Sequence, residues 1–261
     1  MNIIVCIKQV PNTTQIKMDP VTGVMDRNGI PSIMNPDDKV AVEYALELKE
    51  LFNAHVTVIS MGPMQAKKIL FEAIAMGADK GILLSDRAFA GADTLATSKA
   101  LSSLIKTLPY DLIITGRQAI DGDTAQVGPQ IAELLNIPQI TYVSKIHPVD
   151  EKTLRVKRTF EDRYQVYEAK LPVLLTVLGD SKKPRYMDIY RLVNLANDEN
   201  VSLKTIADIN LDPKETGLTG SPTRVKQSFS KVVNKQIELK EGTSEELVEE
   251  IVARIKARNL L

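Results

Sequence analysis

The chain has 261 residues, and its 33 lysines and arginines balance 33 aspartates and glutamates, so its formal net charge is zero. This balance argues against a general nucleic-acid-binding protein and against electrostatic attachment to an anionic membrane. Cys6 is the only cysteine, and the histidines, His55 and His147, lie far apart, so an intrachain disulfide is excluded and no metal site is expected. The apolar start is too short for a signal peptide, and we expect a cytoplasmic protein.

Buried strands alternate with amphipathic helices over the first half of the chain. Continuous apolar runs predict parallel strands at residues 2–7, 55–60, 80–84, 111–115 and 140–143. Helical patterns lie between these runs, and they begin at Asn35, after Pro63, near Ala92 and near Asp123. This order predicts an α/β fold with a doubly wound, mostly parallel, Rossmann-like sheet, in which ligands bind at the carboxyl ends of the strands.

The pattern changes after residue 145. Residues 153–160 and 164–170 alternate in polarity and predict a β-hairpin, and residues 171–178 return to the sheet. Residues 213–222 have the glycines and prolines of a linker, and a helix with one apolar face begins near Ser244. We predict a nucleotide-binding domain over residues 1–195 and an arm over residues 196–261 that packs on another chain. The alternative is a terminal helix docked on its own domain.

The loop after the fourth strand carries the strongest chemical signal. It reads GRQAIDGDTAQVG over residues 116–128, where Gly116 and Gly122 allow tight turns. Asp123 is expected to cap the next helix, leaving the N–H groups of residues 124–127 to bind an anion. Asp121 is an objection, because a carboxylate near phosphate must point away or bind a hydroxyl. An ordinary loop with a good N-cap is the alternative.

Three other segments are expected to converge on the same cleft. They are Cys6 at the end of the first strand, the helix start at residues 35–38 with a capping Asn35, and Met61-Gly62 after the second strand. The sequence offers no convincing acid–base pair, nucleophile or metal cluster. Any redox or group-transfer chemistry would therefore come from a bound cofactor.

The loop GRQAIDGDTAQVG resembles the signature of the electron-transfer flavoprotein beta subunit. VCIKQVPNT, SIMNPDDKVAVEYALELKE, VISMGP, EAIAMGADKGILLSD, KLPVLLTV and KPRYMDI resemble other motifs of that family, in the family's order, over about residues 2–195. The resemblance implies a heterodimer with an alpha subunit, no metal, and an adenine nucleotide in the cleft.

The resemblance also implies which residues act. Its cofactor contacts correspond to Cys6, Asn35, Pro36, Asp37, Asp38, Met61, Gly62, Gly116, Arg117, Gln118, Asp121, Gly122, Asp123, Thr124, Ala125, Gln126 and Val127. A recognition loop at about residues 182–195 is expected to dock on a dehydrogenase through Arg185, Tyr186, Met187, Ile189 and Tyr190.

Two cofactors are compatible with this family. In the conventional type the beta subunit holds a structural AMP, and a bulkier acidic run stands where this chain has Gly122-Asp123-Thr124-Ala125. These small residues, together with the loop at residues 10–13, favour the electron-bifurcating type, in which the beta subunit binds FAD. That type accepts electrons from NADH and delivers them to ferredoxin or flavodoxin and, through the alpha-subunit FAD, to an acyl-CoA or lactate-type dehydrogenase. A third alternative is a stand-alone nucleotide-binding regulator of the universal-stress type.

Overall fold

A computed structural model describes residues 1–12, 31–194, 200–225 and 237–260. They form two compact units, Met1–Lys226 and Gln227–Leu261. The strands are β1 Asn2–Cys6, β2 Gln9–Pro11, β3 Ser32–Met34, β4 His55–Met61, β5 Lys80–Leu84, β6 Leu112–Gly116, β7 Gln139–Asp150, β8 Thr153–Thr159, β9 Tyr164–Lys170, β10 Val173–Val177 and β11 Val201–Lys204. The helices are α1 Pro36–Phe52, α2 Lys67–Met76, α3 Thr94–Ile105, α4 Val127–Leu135, α5 Ile189–Asn194 and α6 Ser244–Ala257.

A nine-stranded sheet forms the centre of the first unit. Its order is β11-β5-β4-β1-β6-β10-β7-β8-β9, and β2 and β3 form a separate antiparallel pair. The strands from β11 to β7 run parallel, whereas β8 and β9 extend the sheet as the predicted antiparallel hairpin. The α/β prediction is therefore confirmed. After β1 the chain adds β4 and β5 on one side of that strand, whereas β6 and the strands that follow it up to β10 lie on the other side. The carboxyl ends of β1 and β6 therefore flank the point at which the strand order reverses, and sheets of this kind bind ligands there.

Apolar residues fill both faces of the sheet. Ile3 and Val5 of β1 pack with α1 and α2 on one face, whereas Ile4 and Cys6 pack on the other face with α3 and α4. This alternation follows from the two-residue period of a strand. Because both faces are covered, the central strands are apolar at nearly every position, as the sequence indicated. None of the described helices has the length and apolarity needed to span a lipid bilayer.

Two predicted helix starts are wrong in detail. Helix α4 begins at Val127 and not near Asp123, because Asp123 and Ala125 adopt positive φ angles of 50° and 52° that a helix cannot continue. Asp123 therefore does not cap α4. Asn35 does precede α1, but its side chain makes no capping hydrogen bond to that helix. Helix α2 ends at the C-cap Gly77, which has a φ of 136° and whose N–H donates to the carbonyls of Ala73 and Ile74.

The predicted domain division also requires correction. The boundary at residue 195 falls outside the described residues, but Val201–Lys204 pairs with β5 as an edge strand of the main sheet. Residues 213–222 were predicted as a linker, yet they belong to the first unit, within a segment of residues 212–225 that we call the strap. Thr216 and Ser221 of the strap are buried. In the second unit α6 begins at Ser244 as predicted, with Val248 and Ile251 exposed.

Candidate functional site

A cleft of about 920 Å³ lies at the carboxyl ends of β1, β4, β5 and β6. This volume is in the upper part of the range of roughly 300–1,000 Å³ that is typical of small-molecule sites. Residues 115–128 form one side of the cleft, and residues 85–97 form the other. The cleft therefore occupies the crevice that the strand order predicts.

Most of the predicted site residues line this cleft. They are Cys6, Asp38, Met61, Gly62, Gly116, Arg117, Gln118, Gly122, Thr124, Ala125, Gln126 and Val127. Asn35, Pro36, Asp37, Asp121 and Asp123 are not among its lining residues. Lys8, Gln9 and several residues of the wall formed by residues 85–97 also line the cleft, although they are not among the predicted cofactor contacts. Their position after the parallel strands β1 and β5 marks these segments as part of the ligand-binding edge of the sheet.

Asp38 forms the floor of the cleft. Its carboxylate accepts hydrogen bonds from the N–H groups of Lys8 at 2.8 Å and Gly116 at 3.1 Å, and it thereby joins the ends of β1 and β6. Burial raises the pKa of Asp38 to about 7, although hydrogen bonds from Asn35, Lys8 and Gly116 act to lower it. Burial, and secondarily the charge of Asp38, raises the pKa of the Cys6 thiol well above its ordinary range, so Cys6 is a neutral thiol.

Asn35 and Asp121 hold the loop that forms one side of the cleft. The side-chain amide of Asn35 donates to the Gln118 carbonyl at 2.8 Å and accepts from the Ile120 N–H at 3.1 Å. Asp121 is ion-paired with Lys8 at 2.6 Å, and its side chain is 8% exposed. A carboxylate in this loop was expected to oppose the binding of a phosphate nearby. Because Asp121 is neutralised by Lys8, that objection no longer applies.

The loop approaches its neighbours closely at two glycines. A Cβ at Gly116 would lie 2.7 Å from the Asp37 Cβ and closer still to the Asp38 carboxylate, and a Cβ at Gly128 would lie 2.7 Å from Thr176 Cγ2. At Gly122, by contrast, a Cβ would meet no described atom within 4 Å. Gly116 and Gly128 are therefore required for packing, whereas Gly122 leaves open space at the edge of the cleft.

Backbone N–H groups that could bind an anion lie in an irregular loop and not at the predicted helix terminus. Ala125 has a φ of 52° and Gln126 a φ of −104°, and adjacent left- and right-handed residues form the N–H concavity that binds anions. Within the described part of the chain, the N–H groups of Thr124 and Ala125 have no protein acceptor. Arg117 Nε is buried without a hydrogen-bond partner and lies 3.8 Å from Asp37.

The described residues of the predicted recognition loop contact both α1 and α2, and the Asp188 N–H donates to the Ala75 carbonyl of α2 at 2.9 Å. Tyr186, Ile189 and Tyr190 are 87%, 76% and 79% exposed, and Met187 is also exposed. Arg185 differs from them, because its Nε donates to Glu43 at 3.0 Å and its Nη1 to Glu50 at 2.5 Å. Arg185 therefore anchors the loop to α1 and does not present a free docking group.

Comparison with known proteins identifies the family. The profile described as the electron transfer flavoprotein domain matches residues 22–208. The chain is 52% identical over 261 residues to "Electron transfer flavoprotein subunit beta" of Clostridium acetobutylicum, and the match covers both chains completely. It is 47% identical to "Caffeyl-CoA reductase-Etf complex subunit CarD" of Acetobacterium woodii and 42% identical to "Acryloyl-CoA reductase electron transfer subunit gamma" of Anaerotignum propionicum, again over the whole of each chain. The chain therefore belongs to the electron transfer flavoprotein beta-subunit family.

Proposed function

We propose that this chain binds FAD in the cleft and acts, with an alpha subunit, as an electron-bifurcating electron transfer flavoprotein. The complex takes electrons from NADH and delivers them to ferredoxin or flavodoxin and, through the alpha-subunit FAD, to a partner dehydrogenase. The observation that carries the proposal is the volume of the cleft, about 920 Å³, which is lined both by the loop at residues 116–128 and by the wall at residues 85–97. A mononucleotide such as AMP would occupy only part of it.

The cleft residues fit a flavin dinucleotide. The free N–H groups of Thr124 and Ala125 are suitable partners for a pyrophosphate, and Arg117 lines the same cleft. Phe89 and Leu101 give the opposite wall an apolar surface for an aromatic ring. FAD bound there would supply the redox chemistry. The protein would orient it and exclude water from it.

The partner is proposed from the exposed loop and from the relatives. Tyr186, Met187, Ile189 and Tyr190 form an exposed apolar surface on the loop, as interface residues do. The names of two relatives connect them with caffeyl-CoA and acryloyl-CoA reductases, which supports an acyl-CoA dehydrogenase as partner over a lactate-type enzyme.

Cofactor content tests the proposal most directly. The chain is co-expressed with its alpha subunit, the purified heterodimer is denatured, and the released FAD and AMP are quantified. We expect about two FAD per heterodimer and almost no AMP. About one FAD and one AMP would refute FAD binding in this cleft and support the conventional type. Bifurcation is tested on the same preparation: NADH should reduce ferredoxin only when the dehydrogenase and its oxidised substrate are present.

Substitution of Gly122 tests the location of the cofactor. Gly122→Trp fills open space at the edge of the cleft, so the fold should be retained while the second nucleotide is lost. Lys106→Trp, at an exposed position after α3 and outside the cleft, is the matched control. Retention of both nucleotides by Gly122→Trp would mean that the cofactor lies elsewhere.

A further inference from the structure

The strap, residues 212–225, packs against the wall of the cleft from outside. None of its residues lines the cleft, whereas Phe89–Thr94, which it contacts, line the cleft continuously. The strap therefore supports a wall of the site without contributing to its surface. Two independent sets of contacts fix this arrangement.

The first set of contacts centres on Asp93. One carboxylate oxygen accepts from the Ala96 N–H at 3.0 Å and caps α3. The other accepts from the N–H of Thr223 at 3.0 Å and from its hydroxyl at 2.7 Å. The N–H of Asp93 donates to the Ser221 hydroxyl at 2.8 Å, and that hydroxyl donates to the Gly217 carbonyl at 2.6 Å. Ser221 and Thr223 thus bind both the backbone and the side chain of a residue that lines the cleft.

The second set of contacts fixes the turn of the strap over residues 88–91. The Leu218 N–H donates to the Ala90 carbonyl at 3.0 Å. Gly217 has a φ of 53°, and a Cβ there would lie 2.8 Å from the Ala90 carbonyl oxygen and closer to that of Ala88. Only glycine allows this approach of two backbones. An ion pair of 2.6 Å between Glu215 and Lys99 of α3 holds the start of the strap.

We propose that Ser221 and Thr223 are positioning residues for the cofactor: they hold the wall at residues 89–94 in the conformation that binds the nucleotide. The inference rests on the proposed FAD binding. Residues 87–92 consist largely of small residues around a short 3₁₀ turn, and Phe89 is the one buried residue among these six, so the segment has few packing contacts of its own to fix it. Without the strap hydroxyls, the wall would sample other conformations, and the affinity for the nucleotide would fall accordingly.

The test uses the heterodimer with the double substitution Ser221→Ala/Thr223→Val. The matched control is Ser202→Ala/Thr107→Val, which removes hydroxyls whose partners, Gly81 and Leu104, lie outside the cleft. The FAD of this site is removed and titrated back, and its dissociation constant is measured by flavin fluorescence. We expect the dissociation constant of FAD to increase about tenfold for the strap variant, which corresponds to about 1.4 kcal/mol and is of the size of the net contribution of a single hydrogen bond. The control should stay within about twofold of the wild type.

Hydrogen exchange of the nucleotide-free heterodimer gives a readout that does not depend on cofactor binding. Amides of residues 86–94 should exchange faster in the strap variant, while those of β1 and β6 keep wild-type rates. The single variant Thr223→Ser keeps the hydroxyl, so it should have the exchange rates and the cofactor affinity of the wild type. Unchanged exchange and affinity in the strap variant, or equal losses in the control, would overturn the proposal. If the wild type binds AMP and not FAD, the proposed function fails, and the strap is then judged by the dissociation constant of AMP, measured by titration calorimetry on the same variants.

Discussion

Replacement of Gly116 by alanine tests how the floor of the cleft is built. The added Cβ would lie 2.7 Å from the Asp37 Cβ and 2.8 Å from the Asp37 carbonyl carbon, and it would also meet the Asp38 carboxylate. Both neighbours belong to the first turn of α1, which cannot move aside as a flexible side chain could. Either α1 or the loop after β6 must shift, and the hydrogen bond of 3.1 Å from the Gly116 N–H to Asp38 would then be strained.

The expected magnitude follows from these two effects. Overpacking of a well-packed site typically costs about 1–3 kcal/mol, and a weakened hydrogen bond to a charged group adds about 1.5–3 kcal/mol. We expect Gly116→Ala to lower the free energy of unfolding by about 3–5 kcal/mol. For a domain of this size, this corresponds to a decrease of roughly 6–20 °C in Tm. Gly122→Ala, in the same loop, meets open space and should change stability by less than about 1 kcal/mol.

Both variants are compared by urea unfolding, followed by circular dichroism, of the heterodimer without nucleotide. This separates the packing of the floor from cofactor binding. If Gly116→Ala and Gly122→Ala unfold at the same urea concentration, α1 and the loop do not approach each other as described, and the position of Asp38 in the floor would be wrong as well.

Two further predictions concern the docking surface and pH. Ile189→Ala removes an apolar side chain that is 76% exposed, and it should raise the KM for the dehydrogenase about five- to tenfold while NADH-dependent flavin reduction stays intact. Leu51→Ala, at an exposed site on α1, is the control. Parallel loss of both activities in Ile189→Ala would refute docking at Ile189. The folded Asp38 carboxyl, with a pKa of about 7, keeps its proton to a higher pH than the unfolded carboxyl does, so its stabilisation is present below about pH 4 and lost as the pH rises toward 7. The unfolding free energy should therefore fall by up to about 4 kcal/mol over this range. In urea titrations at several pH values, Asp38→Asn should reduce the dependence of the unfolding free energy on pH. If that dependence is the same in the variant and the wild type, Asp38 is not a buried group that titrates in this range.

The sequence was sufficient for the sheet and for most of the cleft lining. The central strands are apolar at nearly every position, and this pattern follows from their burial on both faces, so the predicted runs match β1, β4, β5 and β6 within a residue or two. Because parallel strands bring their carboxyl ends to one edge, locating the strands was enough to predict where the cleft lies.

The rest depended on contacts that local sequence does not encode. Asp123-Thr124 has the composition of a helix cap, but Asp123 adopts a left-handed conformation, and its carboxylate accepts a hydrogen bond of 2.5 Å from Gln118. The strap has the glycines of a linker, and the same glycines allow its close approach to residues 88–91. A flexible linker and a fixed turn share this composition, and only the distant partner loop distinguishes them.

Helix α1 connects the two surfaces for which we propose functions. Asp38, near its start, forms the floor of the cleft, whereas Glu43 and Glu50 bind Arg185 of the exposed loop. At a rise of 1.5 Å per residue, Asp38 and Glu50 lie about 18 Å apart along this helix. Moving the loop relative to the cleft would require breaking the ion pair between Arg185 and Glu43, whose side chains are 32% and 8% exposed, and the hydrogen bond of 2.9 Å from the Asp188 N–H to the Ala75 carbonyl of α2. The docking surface and the cleft therefore move as one body. A dehydrogenase bound at Tyr186–Tyr190 would then have a fixed orientation toward the proposed cofactor, and any change in distance between redox centres would have to arise outside the first unit.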